Sequence, residues 1–378
     1  MKKCLLAIIL VAALIFAPFS AFAKGADNDE IKAKSAILMC MDTGDVIYQK
    51  NDKEHLSPAS VTKIMTILLV LEALDSGKIK MTDKVTASAD AVKMGGSQIW
   101  LEQGEVMTVE ELLKAVIIAS ANDACTALGE HVGGSVSGFV KMMNDRAKEL
   151  GCNDTNFENC NGLDDTAANH YSCAYDLALI SCEVMKHKTV EKYTTVWLDS
   201  LRGGETELNN TNKLVNTFNG ITGLKTGTTS NAGFCISATA RRDGMNLVAV
   251  ILGSETSEDR FESAAKLLDM GFADYEVIKP KLDKKKIKAV KVTGGKDKIV
   301  KPVPSISSKF LVKKGSDNIN YKYTSLSKTA APVKKGDSLG KITVLSGESK
   351  IGEISLVSPT DIAKIDITTI FSDILLKI

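Results

Sequence analysis

From Thr62 to Leu74 the chain runs thirteen residues rich in Leu, Ile and Met, with no glycine or proline, and a lysine, Lys63, stands at its head. Such a segment reads as a buried helix, which needs a substantial core around it. A lysine just inside a buried helix is an unusual expense, because burial disfavours its charged form. Three residues before it stands Ser60, and residues three apart on a helix share a face, so the two side chains meet.

The elements around this helix define the architecture. Ser35–Met41 and Val46–Gln49 flank Asp42-Thr-Gly-Asp45 as a β-hairpin. Glu110 to Val132 has a helical period and is predicted to form one long helix, stopped by Gly133-Gly134. Phe139 to Leu150 is another helix. Phe234–Arg241 and Met245–Leu252 are strands joined by Arg242-Asp-Gly244, and Phe261 to Tyr275 is a last amphipathic helix. A hairpin, a run of helices, a second hairpin and a helix make an α+β pattern with no βαβ repetition. Beyond residue 276 the texture turns to short β-type runs broken by glycines, a small all-β C-terminal domain. Its first stretch, Lys279 to Lys301, holds ten lysines against Asp283 and Asp297 and reads as a solvated sheet face.

Both ends are set apart. Lys2-Lys3, the apolar run Leu5–Phe19 and Ala21-Phe22-Ala23 have the form of a cleaved secretory signal. At the other end Ile367, Ile370, Phe371, Ile374, Leu375 and Ile378 line one helical face. Twelve residues of helix reach only ~18 Å and cannot span a bilayer. A peripheral membrane contact and a terminal element docked on the β-domain both fit this tail. The resulting division is 1–23 signal peptide, 24–275 catalytic domain, 276–366 all-β domain and 367–378 amphipathic tail.

Composition removes several classes of function. Lys+Arg exceed Asp+Glu by 47 − 46 = 1, so no global field favours nucleic acid. The four histidines form no metal-ligand pair and leave little for a His-based triad, so neither metal nor cofactor is expected. Without Cys4, seven cysteines remain, an odd number without C-x-x-C spacing, and they read as small buried hydrophobes, with no obligatory disulfide.

Chemistry is carried by three short motifs in order. A serine hydroxyl needs a base, and Lys63 can serve Ser60 only if its reference pKa of ~10.4 is lowered by burial or a second cation. Ser120-Ala121-Asn122 places two polar side chains within the second apolar helix pattern, where they must find partners; they mark either an N-cap or kink or a polar pair lining a cleft. Lys225-Thr226-Gly227-Thr228 precedes the expected strand and joins a cation, a hydroxyl and a residue without a side chain, so a substrate backbone could approach. Each motif is weak alone; their ordered conjunction is specific.

With these residues the chain resembles a low-molecular-mass penicillin-binding protein, a serine D-alanyl-D-alanine carboxypeptidase of peptidase family S11. Pro58–Met65, Ala119–Ala124, Asn161-Gly-Leu-Asp164, Ala174–Leu177, Gly223–Thr229 and, further on, Ala331–Asp337 carry the likeness. The resemblance implies a β-lactamase/transpeptidase-like catalytic domain, an antiparallel sheet with helices, followed by the β-domain. It implies Ser60 as nucleophile, Lys63 as base and Ser120 as proton relay. Asn122, Lys225, Thr226, Gly227 and Thr228 would bind substrate, with the N–H groups of Ser60 and Thr228 as oxyanion hole. Lys225 would also depress the pKa of Lys63. The implied partners are peptidoglycan stem peptides ending in D-Ala-D-Ala and, as covalent inhibitors, β-lactams; the implied location is the outer face of the cytoplasmic membrane or the wall. Ala121, where these carboxypeptidases more often have Gly and class A β-lactamases Asp, counts against the nearest rival, an exported β-lactamase. A non-catalytic penicillin-binding or wall-binding protein is the reading from a different class.

Overall fold

The computed structural model describes residues 31–164, 167–305, 309–316 and 318–366. The expected signal peptide and tail lie outside them. The chain divides into two units. The first is Met1–Met39, Val46–Ala240 and Val248–Leu268; the second is Asp269–Ile378 with Cys40–Asp45 and Arg241–Leu247.

In chain order the elements of the catalytic half begin with the hairpin β1 (Ser35–Cys40) and β2 (Val46–Lys50) and the buried helix α1 (Lys63–Asp75). Then come β3 (Lys84–Thr86), α2 (Ala89–Val92), β4 (Val106–Thr108), α3 (Val109–Ile118), α4 (Asn122–Gly133), α5 (Val136–Glu149), α6 (Ala174–Val184) and α7 (Glu191–Thr194). A small hairpin, β5 (Leu198–Leu201) with β6 (Thr206–Asn209), and α8 (Leu214–Thr217) lead to β7 (Ile221–Thr229), β8 (Gly233–Arg242), β9 (Met245–Ser254) and α9 (Ser257–Asp274). The main sheet runs β2-β1-β9-β8-β7, so β7 is an edge strand. It pairs antiparallel with β8, setting Lys225 opposite Ser237 and Gly227 opposite Cys235.

Ten of the thirteen residues of α1 are buried, among them Ile64, Met65, Ile67, Leu68 and Leu71. At about 1.5–3 kcal/mol per fully buried side chain of this size, α1 is a main source of the unit's stability. That is what allows its first residue, Lys63, to be carried inside.

Three sequence expectations are corrected. Glu110–Val132 is two helices: α3 ends at Ile118, and α4 starts at Asn122. Ala121 N–H reaches back to the Ala115 carbonyl, and Ser120 adopts φ +63° between them. The K-T-G motif, expected only to precede a strand, itself lies within strand β7. Ser60 also stands in a 3-10 turn, Ala59–Thr62, that leads into α1, and not in the α-helix itself.

The second unit is all-β apart from the end of α9 and a short 3-10 turn: β10 (Tyr275–Ile278), β11 (Val290–Thr293), β12 (Ile299–Val300), β13 (Val303–Pro304), β14 (Phe310–Lys313), β15 (Ile319–Ser325), β16 (Lys328–Ala330), β17 (Ser338–Ser346) and β18 (Ser349–Val357). A four-stranded sheet, β13-β18-β17-β15, buries Ile342, Val344, Ile354 and Leu356 with Phe310 and Ile287. A smaller sheet, β12-β11-β16, has its own cluster around Val290, Val292 and Val333. Alternation is plain in β11, whose burial runs buried-exposed-buried-exposed. The ten lysines between 279 and 301 are all exposed.

Candidate active site

Lys63 is fully buried, and its ammonium makes three hydrogen bonds: to Ser60 Oγ at 2.8 Å, Asn122 Oδ1 at 2.5 Å and the Asn161 carbonyl at 2.7 Å. Lysine only donates when charged, so Oδ1 of Asn122 must face it, and Asn122 Nδ2 donates to the Gly95 carbonyl at 2.7 Å. Burial pushes Lys63 down to about 8, against the weaker pull of the nearby Cys125, Cys160 and Asp123. Two of its three partners are carbonyl oxygens that cannot donate. When the proton leaves, the lone pair therefore has one useful direction, towards Ser60.

Ser60 is placed by an unusually close approach of turn and edge strand. A Cβ on Gly227 would lie 2.7 Å from the Pro58 carbonyl oxygen and 2.9 Å from the Ser60 nitrogen, so only glycine fits. From the other side Gly162, at φ +85°, comes so near that a Cβ would meet the Ala59 oxygen at 1.9 Å. Ala59 itself is held at φ +48°. Asp164 joins the two walls, accepting from Ser57 Oγ at 3.3 Å and Thr229 Oγ1 at 2.6 Å.

On β7, Lys225 is buried and its pKa lies well below the ordinary lysine value, first through burial and then through the charges of Lys63 and Arg260. Of the two expected causes, burial is the leading one at Lys63, and the repulsion between the two lysines is felt at Lys225. Thr226 Oγ1 donates to Thr211 Oγ1 at 2.7 Å, and Thr228 Oγ1 to the Gly227 carbonyl at 2.7 Å. Ser120 is buried in the break between α3 and α4, two residues from Asn122.

The structure adds residues that the sequence did not single out for roles. Arg260 of α9 is buried and donates from Nη1 to the Gly227 carbonyl (3.0 Å), Thr228 Oγ1 (2.9 Å) and the Cys235 carbonyl (3.3 Å), pinning the K-T-G strand from behind. Its position in the polar run Ser257-Glu-Asp-Arg260 looks like a solvated helix start. Asn161 contributes a backbone carbonyl, which no residue type announces. His170 accepts the Glu158 N–H on Nδ1 at 3.0 Å, so Nε2 carries the proton towards Thr62 Oγ1 at 2.8 Å. Burial pushes it down to about 4, and it stays neutral as a strut.

Among the described residues, Asp154, Cys173 and Asp176 bring two carboxylates and a thiol together as metal-ligand types. The Lys53 ammonium, 3.7 and 3.8 Å from the two carboxylates, already supplies the countercharge. A cavity of 610 Å³ in the second unit, over Leu282, Ile287 and Ile354, holds none of the residues above.

A serine with a buried lysine, an Asn-bearing helix start and a K-T-G edge strand, on an antiparallel sheet with helices, define a serine acyl-transfer protein of the penicillin-binding kind. The comparisons specify it further. The model of the peptidase S11 family, D-alanyl-D-alanine carboxypeptidase, matches residues 22–256, and that of the penicillin-binding protein 5 C-terminal domain matches 275–364. The chain belongs to the S11 D-alanyl-D-alanine carboxypeptidase family. It is 43% identical to the D-alanyl-D-alanine carboxypeptidase DacF of Bacillus subtilis over 369 residues, 95% of this chain and 93% of that one. Among solved structures, penicillin-binding protein 5 from Haemophilus influenzae superposes with a TM-score of 0.82 at 30% identity, over 90% of this chain and all of that one. Penicillin-binding protein D2 from Listeria monocytogenes, solved in an ampicillin-bound form, gives 0.60 at 32% identity, over 65% of this chain and 100% of that one.

Proposed function

We propose that the protein removes the terminal D-alanine from peptidoglycan stem peptides through an acyl-enzyme on Ser60. The observation that carries this is the 2.8 Å contact between Ser60 Oγ and a lysine whose pKa burial has brought to about 8. Neutral Lys63 takes the Ser60 proton as Oγ attacks the carbonyl between the two D-alanines. The N–H groups of Ser60 and Thr228 hold the oxyanion, an interaction worth about 3–4 kcal/mol per donor in comparable sites. Ser120 passes a proton to the leaving nitrogen, Asn122 holds the peptide amide, and Lys225 and Thr226 receive the terminal carboxylate, with Gly227 leaving room for the backbone. An arriving carboxylate favours the charged form of Lys225, so binding and ionisation reinforce each other. Water then releases the shortened peptide, and a β-lactam stops at the same acyl-enzyme.

The edge position of β7 supports this reading, since an extended peptide can add to an open strand. Incubation with a diacyl-lysyl-D-Ala-D-Ala peptide should release D-alanine, and penicillin should block the release. Ser60→Ala should lose both D-alanine release and covalent labelling by a fluorescent penicillin. A folded wild-type protein that releases none would sink the proposal, and rapid penicillin turnover would move it to a β-lactamase.

We further read 24–275 as the catalytic domain and 276–366 as the β-domain, on a chain exported by cleavage of 1–23. No helix among the described residues is long and apolar enough to cross a membrane. The spacing in 367–378 supports a peripheral membrane contact. Flotation of full-length and 1–366 forms with liposomes tests it: equal flotation of the two would refute it.

A further inference from the structure

Trp100 is three-quarters exposed, more than any other large apolar side chain described, and it is held at φ +57°. Among the described residues, six that are not glycine have positive φ: Asn51, Ala59, Trp100, Ser120, Arg202 and Asp243. Asn and Asp tolerate this conformation. Ala59 and Ser120 belong to the candidate active site, leaving Trp100 and Arg202. These two are tied together. Arg202 donates to the Ile99 carbonyl at 2.8 Å and grips both oxygens of Glu105 at 2.7 and 2.9 Å. The buried Asp123 carboxylate accepts the N–H groups on either side of Trp100, from Ile99 at 3.2 Å and Leu101 at 3.1 Å. The same loop is fastened to Asn122, whose backbone N–H donates to the Ser97 carbonyl at 2.7 Å and whose side chain donates to Gly95.

Strained backbone persists where surrounding bonds over-determine it, and it gathers at working sites. An indole left in water by such a clamp contributes little to the core, so its use lies outside the fold. We propose that Trp100 is a stacking platform for a pyranose ring of the glycan strand that carries the stem peptide, and thus sets a preference for sugar-linked over free peptide. This rests on the acyl-transfer reading of Ser60. Reach agrees with it. Trp100 is three residues from Ser97, about 10 Å at full extension, and four stem residues from the reacting carbonyl to the glycan span about 13–14 Å. Chemistry agrees too: a pyranose offers a C–H face to an aromatic ring and hydroxyls at its edge, and Gln98, Glu102 and Gln103 border the indole in sequence.

The test compares D-alanine release from a disaccharide-pentapeptide and from the sugar-free diacyl-lysyl-D-Ala-D-Ala peptide. Trp100→Gly should lose five- to tenfold in kcat/KM on the first, through KM, and stay within twofold on the second. Trp100→Phe should keep most of the preference. Since glycine accepts positive φ, Tm of Trp100→Gly should equal or exceed that of the wild type. Added disaccharide should change the fluorescence of the wild type but not of Trp100→Phe, which keeps Trp197, and this readout needs no turnover. Equal losses on both substrates, no loss on either, or no fluorescence response overturns the proposal. Normal penicillin labelling and sugar-free turnover in the same samples would show that the Ser60 reading stands regardless.

Discussion

Lys63 shows how a single residue can be both liability and instrument. Its ammonium is satisfied by three acceptors, yet burial holds its pKa near 8. An ordinary lysine is neutral at pH 7 in fewer than one molecule in a thousand; at a pKa of about 8 the fraction is about a tenth. The neutral form is the base, so acylation should follow its population. The rate constant for penicillin acylation is expected to rise about tenfold per pH unit below about 8 and to level above it, measured by stopped-flow quenching. Lys63→Arg, which cannot shed its proton, should lose at least a hundredfold at every pH. A wild-type profile flat from pH 6 to 9 would remove Lys63 as the base.

The elements act by where they break and where they touch. The Ser60 turn is clasped between β7 and the Gly162 loop, and the contact distances at Gly162 leave no room for a methyl group. Gly162→Ala should destabilise by about 2–4 kcal/mol and slow penicillin acylation more than tenfold, read by denaturant melts and labelling rates. Gly151→Ala makes the control: its φ is similarly positive, +79°, but nothing lies within 4 Å of its Cβ. It should cost about 1 kcal/mol and leave acylation untouched. Local pattern made the Ser60–Lys63 approach legible, because an i, i+3 pair meets in any helical turn. The break between α3 and α4 was legible only as one of two readings of the buried Ser120 and Asn122, because Ala119-Ser-Ala-Asn122 has neither Gly nor Pro and the apolar period runs on across it. Gly227 was legible as a point of close backbone approach, but not as the place where the strand meets the Ser60 turn of its own chain. Arg260 and the Asn161 carbonyl were out of reach for a different reason. What they do depends on partners 33 and 98 residues away.

At the scale of the whole molecule, the proposed chemistry is confined to one unit. Ser60, Lys63, Ser120, Asn122, Lys225, Thr226, Gly227 and Thr228 all fall within Val46–Ala240. The β-type half has separate clusters of its own, one of them around Phe310, Ile342, Val344, Ile354 and Leu356. A net charge of +1 hides this asymmetry, because the exposed lysines of 279–301 are offset elsewhere in the chain. If each unit rests on its own core, a cavity in one should not be felt as chemistry in the other. Leu356 is fully buried, and Leu356→Ala should cost about 2–5 kcal/mol. By calorimetry this should lower the transition of the β-type half alone, while the penicillin acylation rate at 25 °C stays within twofold of the wild type. A parallel fall in acylation would mean that the turn at Ser60 and the edge strand β7 draw their geometry from beyond their own unit, and the clasp formed by Gly162 and Gly227 would then be insufficient to hold the nucleophile.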